Sequence, residues 1–343
     1  MQVPDSLTTA PPAVPIADAI GLLAREYGIA ARSLTPLTSE RDTNFKVESD
    51  KGLFVLKFAN VGERPDVTRL QTAALLHMQT HEPELAVPHM IPALSGAMET
   101  EWNGSMVRVL SWLEGMPLHM APRSATQRGN IARVSAGIGR ALSTFQFEGG
   151  EQDLQWDIQH ALRLKPDVGA VEEGGRALVV AALDRFETHV APLLPSLRCQ
   201  FVHGDLNPYN LLVNPANPDE VTGILDFGDM VKTPLVTDLA IAAGYHAAMG
   251  ADVMQNLGDF IAAYHKILPL ETREIGILPE LIMARFVTTL VITSWRARLY
   301  PENRTYILRN APSAWEGLRQ VLMVPREKAV SGFMEICGMR ERA

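Results

Sequence analysis

The feature that most constrains this 343-residue chain is the stretch Phe201-Val-His-Gly-Asp-Leu-Asn-Pro-Tyr-Asn-Leu-Leu-Val213, followed by Gly223-Ile-Leu-Asp-Phe-Gly-Asp229. Taken singly, Asp205 or Asn210 is a turn or cap residue. Taken together they form an order: Asp205, four intervening residues, Asn210, an apolar run, then Asp226-Phe-Gly228. The β runs at 210–213 and 221–225 carry these polar groups, and Asn214-Pro-Ala-Asn-Pro-Asp219 supplies turn chemistry between them.

That order is similar to the kinase sequence of base, metal ligand, strand and metal ligand. Moving a γ-phosphoryl group demands position and charge neutralisation more than covalent chemistry. In that scheme Asp205 accepts the hydrogen bond of a substrate hydroxyl. Asn210 and Asp226 offer hard oxygens of the kind Mg2+ prefers. Lys57, in Phe54-Val-Leu-Lys57, matches the strand lysine that holds the α- and β-phosphates. His203 is expected to bond the loop backbone and Asp238 to cap a helix. Asp229 stays open between metal and substrate.

The rest of the chain reads as two parts. Ile16, Ile20, Leu23 and Tyr27 mark one face of an opening helix over 15–27, with Pro15 before it and Gly28 after it. Residues 33–59 turn to β spacing, with Asp50-Lys-Gly52 as a hairpin turn and Leu53–Phe58 as the strand that carries Lys57. A helix over 66–80 follows, then a strand over 106–113. Beyond Gly115-Met-Pro117 the pattern becomes mainly helical. Ser124-Ala-Thr-Gln127 reads as a capping box opening a helix that runs to about 146. Further helices are expected over 176–190, 252–266, 279–299 and 325–337. The expected division is a flexible leader over 1–14, a nucleotide-binding part over 15–114, and a catalytic and substrate-binding part over 115–343.

Bulk properties exclude several classes. A net charge of −8 without a Lys/Arg block lacks the footprint of a nucleic-acid binder. Two cysteines, Cys199 and Cys337, suggest neither a disulfide framework nor a thiolate zinc site, and a reducing cytoplasm is the expected home. The N-terminus has no signal-peptide pattern, and the apolar tract over 281–290 is shorter than the ~20 residues that span a bilayer. No membrane partner is expected.

His203-Gly-Asp-Leu-Asn-Pro-Tyr-Asn210, Leu225-Asp-Phe-Gly-Asp229 and Asp238-Leu-Ala together resemble the aminoglycoside phosphotransferase superfamily. Trp156-Asp157 and Thr237-Asp-Leu-Ala-Ile-Ala242 are most similar to its hydroxylysine kinase branch. Homoserine kinase-like and choline kinase-like members share the core motif. The resemblance covers roughly residues 20–320. It implies an α+β, protein kinase-like fold of two lobes: a small antiparallel sheet with one helix, and a larger, mainly helical lobe. It also implies ATP or GTP as donor, with the base near Ser111–Leu113, and Mg2+ as cofactor.

Two places depart from the pattern. Ser39-Glu-Arg-Asp-Thr-Asn44 stands where a phosphate loop is expected but contains no glycine; Ser39, Thr43 and Asn44 are its candidate phosphate contacts. Between Val67 and His81 no acid is available to pair with Lys57, which leaves Glu63, Asp66 or Gln71. Asp238 follows Asp226 too closely for a protein-kinase activation segment, which favours a small substrate. Asp157, Asp229 and Glu114 are expected to attract an amine-bearing, cationic acceptor. The competing class is a catalytically silent nucleotide-binding scaffold.

Overall fold

The computed structural model describes residues 9–39, 41–247 and 252–339. The chain divides into two compact units. The first holds the residues through Glu114 together with Phe145–Gln152 and Gly223–Gly228; the second holds Gly115–Thr144, Asp153–Thr222 and the chain from Asp229 onward.

In the first unit, helix α1 (Ile16–Tyr27) leads into strands β1 (Ala31–Leu37), β2 (Thr43–Ser49) and β3 (Gly52–Phe58), then helix α2 (Pro65–His81), then β4 (Met90–Ile91), β5 (Thr100–Trp102) and β6 (Ser105–Ser111). The strands form one antiparallel sheet in the order β1-β2-β3-β6-β4, with β5 also on β6. Gly28 ends α1 at φ 61, where the absent side chain removes the left-handed penalty.

Strand alternation gives this sheet two unlike faces. Phe45 and Val47 on β2, Leu56 and Phe58 on β3, and Val107 and Val109 on β6 share one face and form a core with Ala19, Leu22 and Leu23 of α1. Each buried Leu contributes on the order of 1.5–3 kcal/mol. Shifting by one residue puts Asn44, Lys57 and Arg108 in one row on the other face, through the pairs Asn44↔Lys57 and Lys57↔Arg108. The buried stripe of α1 differs from the expected one: Ile16 is 48% and Ile20 37% exposed, while Ala19 and Leu22 are inside. The small Ala19 lets the helix meet the sheet on that flank.

Of the expected leader, residues 1–8 lie outside the described residues. Residues 9–12 are held rather than loose: Asn60 Nδ2 donates to Thr9 O at 3.0 Å, and Thr43 Oγ1 donates to Pro12 O at 2.6 Å.

The second unit opens with β7 (Met116–Pro117) and α3 (Ala125–Ala141), and continues through a 3-10 helix (Ile158–Ala170) to α4 (Glu173–His189). Strands β8 (Cys199–Val202), β9 (Leu211–Asn214), β10 (Asn217–Ile224) and β11 (Val231–Pro234) follow. Helices α5 (Leu235–Ala247), α6 (Val253–His265), α7 (Thr272–Ile275), α8 (Leu278–Leu299), α9 (Arg304–Ile307), α10 (Ala311–Met323) and α11 (Arg326–Ile336) complete it. β9 lies between β10 and β7, and β8 pairs with β11.

Several expectations shift. Ser124 Oγ caps α3 by accepting from Gln127 N at 2.9 Å, but the reciprocal half of the box is absent. Gln127 Nε2 instead donates to Pro122 O at 3.1 Å and Pro218 O at 2.7 Å, tying α3 to the start of β10. The α-helix stops at Ala141, and one 3-10 turn, Leu142–Thr144, follows it. The turn after β9 is short because β10 begins at Asn217; Pro218 is tolerated because β10 is an edge strand. The apolar tract around residue 285 belongs to a 22-residue helix, α8, long enough by length and composition to cross a membrane, yet 89% of its apolar window is buried within the protein. α8 is therefore a core helix.

Candidate active site

In the second unit, β8 runs into the loop His203–Asn210. Gly204 has φ +80, and a Cβ there would stand 2.4 Å from Asp229 O, so only glycine fits. Its N–H donates to Asp238 Oδ1 at 2.9 Å. Asp238, on the first turn of α5, is buried, and burial raises its pKa above the usual carboxylate range. His203 Nδ1 accepts from Asp205 N at 3.3 Å. Both side chains thus shape the loop backbone.

Asp205 is held at both oxygens. Its Oδ2 accepts from Asn207 Nδ2 at 2.7 Å and from Asn210 Nδ2 at 3.0 Å; its Oδ1 accepts from Arg285 Nη2 at 3.2 Å. Asn210 Nδ2 also reaches Asp205 O at 2.9 Å. With its nitrogen end committed to Asp205, Asn210 presents its amide oxygen as the end suited to a cation. Asp229 lines a small recess with Trp156, Asp157, Gly204 and Thr233. Asp157 is buried and caps the 3-10 helix: it accepts from Gln159 N at 3.1 Å, Gln159 Nε2 at 2.5 Å and Thr233 Oγ1 at 3.1 Å. Those donors compete with any incoming amine.

In the first unit, Lys57 Nζ lies 3.7 Å from Asp42 Oδ2. Its acid thus comes from the 39–44 loop. The expected partners are engaged elsewhere: Glu63 accepts from Thr68 Oγ1, Asp66 accepts from Arg64 and from Gly150 N, and Gln71 accepts from Arg108 Nη2 at 2.9 Å. Arg108, missed in the sequence reading, is 3% exposed beside Lys57 in the sheet register, and its Nη1 donates to Thr68 O at 3.3 Å. The signal for it was a cation at a lone polar position in an apolar strand.

Ser39 Oγ accepts from Asp42 N at 3.2 Å, and the Thr43 hydroxyl is spent on Pro12 O. Asn44 Oδ1 is buried with no hydrogen-bond partner. Ser111 exchanges bonds with His89, its N donating to His89 O at 2.8 Å and its Oγ accepting from His89 N at 2.9 Å. Leu113 is half-buried and Glu114 exposed. Asp226 has φ 58, the left-handed region, and its Oδ1 accepts from Gly228 N at 3.1 Å. This exposed carboxylate is one of two non-glycine residues with positive φ among those described.

Comparison with known proteins agrees with the fold. The model of the phosphotransferase enzyme family (APH) matches residues 33–276. The hydroxylysine kinase of Mus musculus is 27% identical over 343 residues, covering 92% of this chain and 91% of that protein. The hydroxylysine kinase of Xenopus laevis is 28% identical, with 90% of each covered. Among solved structures, a microcompartment-associated aminopropanol kinase aligns with a TM-score of 0.68 at 19% identity, over 89% of this chain and all of that one. An amicoumacin kinase solved with AMP-PNP, Ca2+ and Ami aligns at 0.67 and 13% identity, over 92% and 97%. With a kinase-like fold and a family model spanning most of its length, the chain belongs to the phosphotransferase enzyme family and is an enzyme that transfers phosphate to a hydroxyl group.

Proposed function

We propose that the protein is a small-molecule kinase that moves the γ-phosphoryl group of ATP or GTP onto the hydroxyl of an amine-bearing acceptor such as hydroxylysine. The observation that carries this reading is the Asp205 carboxylate, fixed at both oxygens by Asn207, Asn210 and Arg285 on the loop that holds the family motif. A carboxylate so held accepts the acceptor's hydroxyl proton in one orientation and aligns that oxygen with the phosphorus. The oxygen–phosphorus bond then forms as the bond to the leaving diphosphate breaks, and the proton passes toward Asp205.

Asn210 and Asp226 are the residues that would hold Mg2+, which supplies charge neutralisation on the phosphates when bound. Both are hard oxygen donors, and the committed nitrogen of Asn210 supports its oxygen as the ligand atom. Lys57, in a row with Asn44 and Arg108, is the proposed cation for the nucleotide's inner phosphates. The buried, unpartnered Asn44 Oδ1 suits a donor and not a phosphate oxygen, so a phosphate contact by Asn44 would use its Nδ2. Ser39 and Thr43 remain proposed through their backbone N–H groups, and Ser111 and Leu113 for the purine.

For the acceptor amine, Asp229 is the favoured partner, because the carboxylate of Asp157 already takes three hydrogen bonds. Glu114 is kept as an outer contact. Release of ADP and GDP, measured across hydroxylysine, homoserine, choline, ethanolamine, an aminoglycoside and a neutral sugar with Mg2+, tests the proposal. Turnover with an amino alcohol is expected. Phosphorylation of neutral sugars with the amino alcohols ignored would defeat it.

A further inference from the structure

Arg285 lies in α8, a helix whose apolar window is 89% buried, and is itself 4% exposed. Stripping a guanidinium of water is costly even after the protein relaxes, and an apolar residue of similar volume is often no worse for stability. Something must hold the charge there. Its Nη2 donates to Asp205 Oδ1 at 3.2 Å and to Tyr245 Oη. Its Cζ lies 5.1 Å from the Tyr245 ring centroid and 5.6 Å from that of Trp156, cation–π distances that fix where the guanidinium can sit. Among the described residues, buried Nε and Nη1 find no hydrogen-bond partner, so this arginine is not placed to maximise its own bonds. What the arrangement secures is the position of one carboxylate oxygen.

We infer that Arg285, clamped by Trp156 and Tyr245, is a positioning residue that fixes the Asp205 carboxylate before the acceptor binds. This inference rests on the reading of Asp205 as base. Among the described residues, the side-chain amides of the loop, Asn207 and Asn210, hold Oδ2. Arg285 brings the third donor, from a core helix 80 residues away, and pins Oδ1. Donors on both oxygens leave the carboxyl little freedom to rotate. A misplacement near 1 Å costs about 10²-fold in rate.

Arg285→Met, Arg285→Lys and Tyr245→Phe are compared with Asp205→Asn and with Asp205→Asn/Arg285→Met, using Mg2+-ATP and hydroxylysine, or the best acceptor of the panel above if hydroxylysine is not used. Nucleotide affinity is read by AMP-PNP titration and folding by thermal unfolding. Arg285→Met is expected to lower kcat about 10–10²-fold and Arg285→Lys less, with AMP-PNP affinity unchanged. Tyr245→Phe, which keeps the ring, is expected to lower kcat a few-fold, and it carries the test if Arg285→Met does not fold. Adding Arg285→Met to Asp205→Asn should lower the residual rate no more than about threefold, because the two act through one group.

Full kcat in folded Arg285→Met, or in Tyr245→Phe should that variant have to stand in, would overturn the positioning role alone. Additive losses in the double variant would do the same. Undiminished turnover in Asp205→Asn would remove the base assignment and the inference with it.

Discussion

Replacing Asp205 by Ala is expected to injure the fold as well as the chemistry, and the size of the injury follows from Arg285. Breaking a buried ion pair by removing one partner costs about 3–5 kcal/mol, because a desolvated charge is left behind. Here the Arg285 side chain is 5% exposed but that of Asp205 is 23% exposed, so water can reach part of the vacated space. We therefore expect about 2–3 kcal/mol. With an unfolding entropy of about 2.1 cal/mol/K per residue, one kcal/mol moves the midpoint of a 343-residue chain by roughly 1.4 °C, so the midpoint should fall by about 3–4 °C. Asp205→Asn keeps an oxygen for Arg285 Nη2 but loses the charge and turns an amide NH2 toward the Asn207 and Asn210 amides, so it should cost about 1–2 kcal/mol, or roughly 1–3 °C. Calorimetric unfolding at pH 7 without nucleotide, run on both variants, makes the comparison. If Asp205→Ala melts with the wild type, Arg285 does not depend on Asp205 for its charge balance, and the reasoning fails.

Further expectations can be checked with the same preparations. Gly204→Ala places a Cβ 2.4 Å from Asp229 O at φ +80, so turnover should drop at least tenfold and the protein should lose about 2 kcal/mol or more; a stable, active variant would contradict the backbone argument. His246 is buried beside Phe260, and burial pushes its pKa down to about 3, with Arg123 and Arg128 adding to the shift. Its folded value lies below the unfolded one, near 6.5, so its contribution is present above pH 6.5 and lost as pH falls toward 3. The slope is about 1.4 kcal/mol per pH unit. Unfolding free energies from urea titration of wild type and His246→Phe should diverge by up to about 2 kcal/mol between pH 7 and pH 5; parallel curves would rule the histidine out as the source. Asp42→Ala removes the carboxylate 3.7 Å from Lys57 and the acceptor, at 3.1 Å, of the backbone N–H of buried Asn60, so it should cost about 1–3 kcal/mol while altering the nucleotide KM. An unchanged KM would place Lys57 outside the control of the 39–44 loop.

How much of this was legible in the sequence depends on the range of each interaction. Asp205, Asn207 and Asn210 meet because they lie within one loop, where spacing alone limits the geometry. The sheet and most helices follow from side-chain periodicity, itself a local property. Arg285 shows nothing in its own neighbourhood: it interrupts an apolar helix, and only tertiary packing brings it to Asp205. Arg108 becomes visible only once β3 and β6 are paired in register. The sequence leaves Glu63, Asp66 or Gln71, in or just before α2, as partners for Lys57, whereas Asp42 supplies the acid from a loop that leads into β2. Apolar periodicity in α1 could not choose between two overlapping stripes, because the sheet selects the flank with the smaller residue.

The left-handed backbone at Asp226 sets selection for durability against selection for use. A residue with a side chain at φ 58 carries conformational energy that glycine avoids, and asparagine tolerates the same region well. A population of variants screened only for survival of heating should accumulate Asp226→Gly or Asp226→Asn and be rewarded for it. The same population screened for phosphate transfer should keep the acid. The two substitution records, set side by side, would measure how much thermal tolerance this lineage has forgone to keep a carboxylate at that bend.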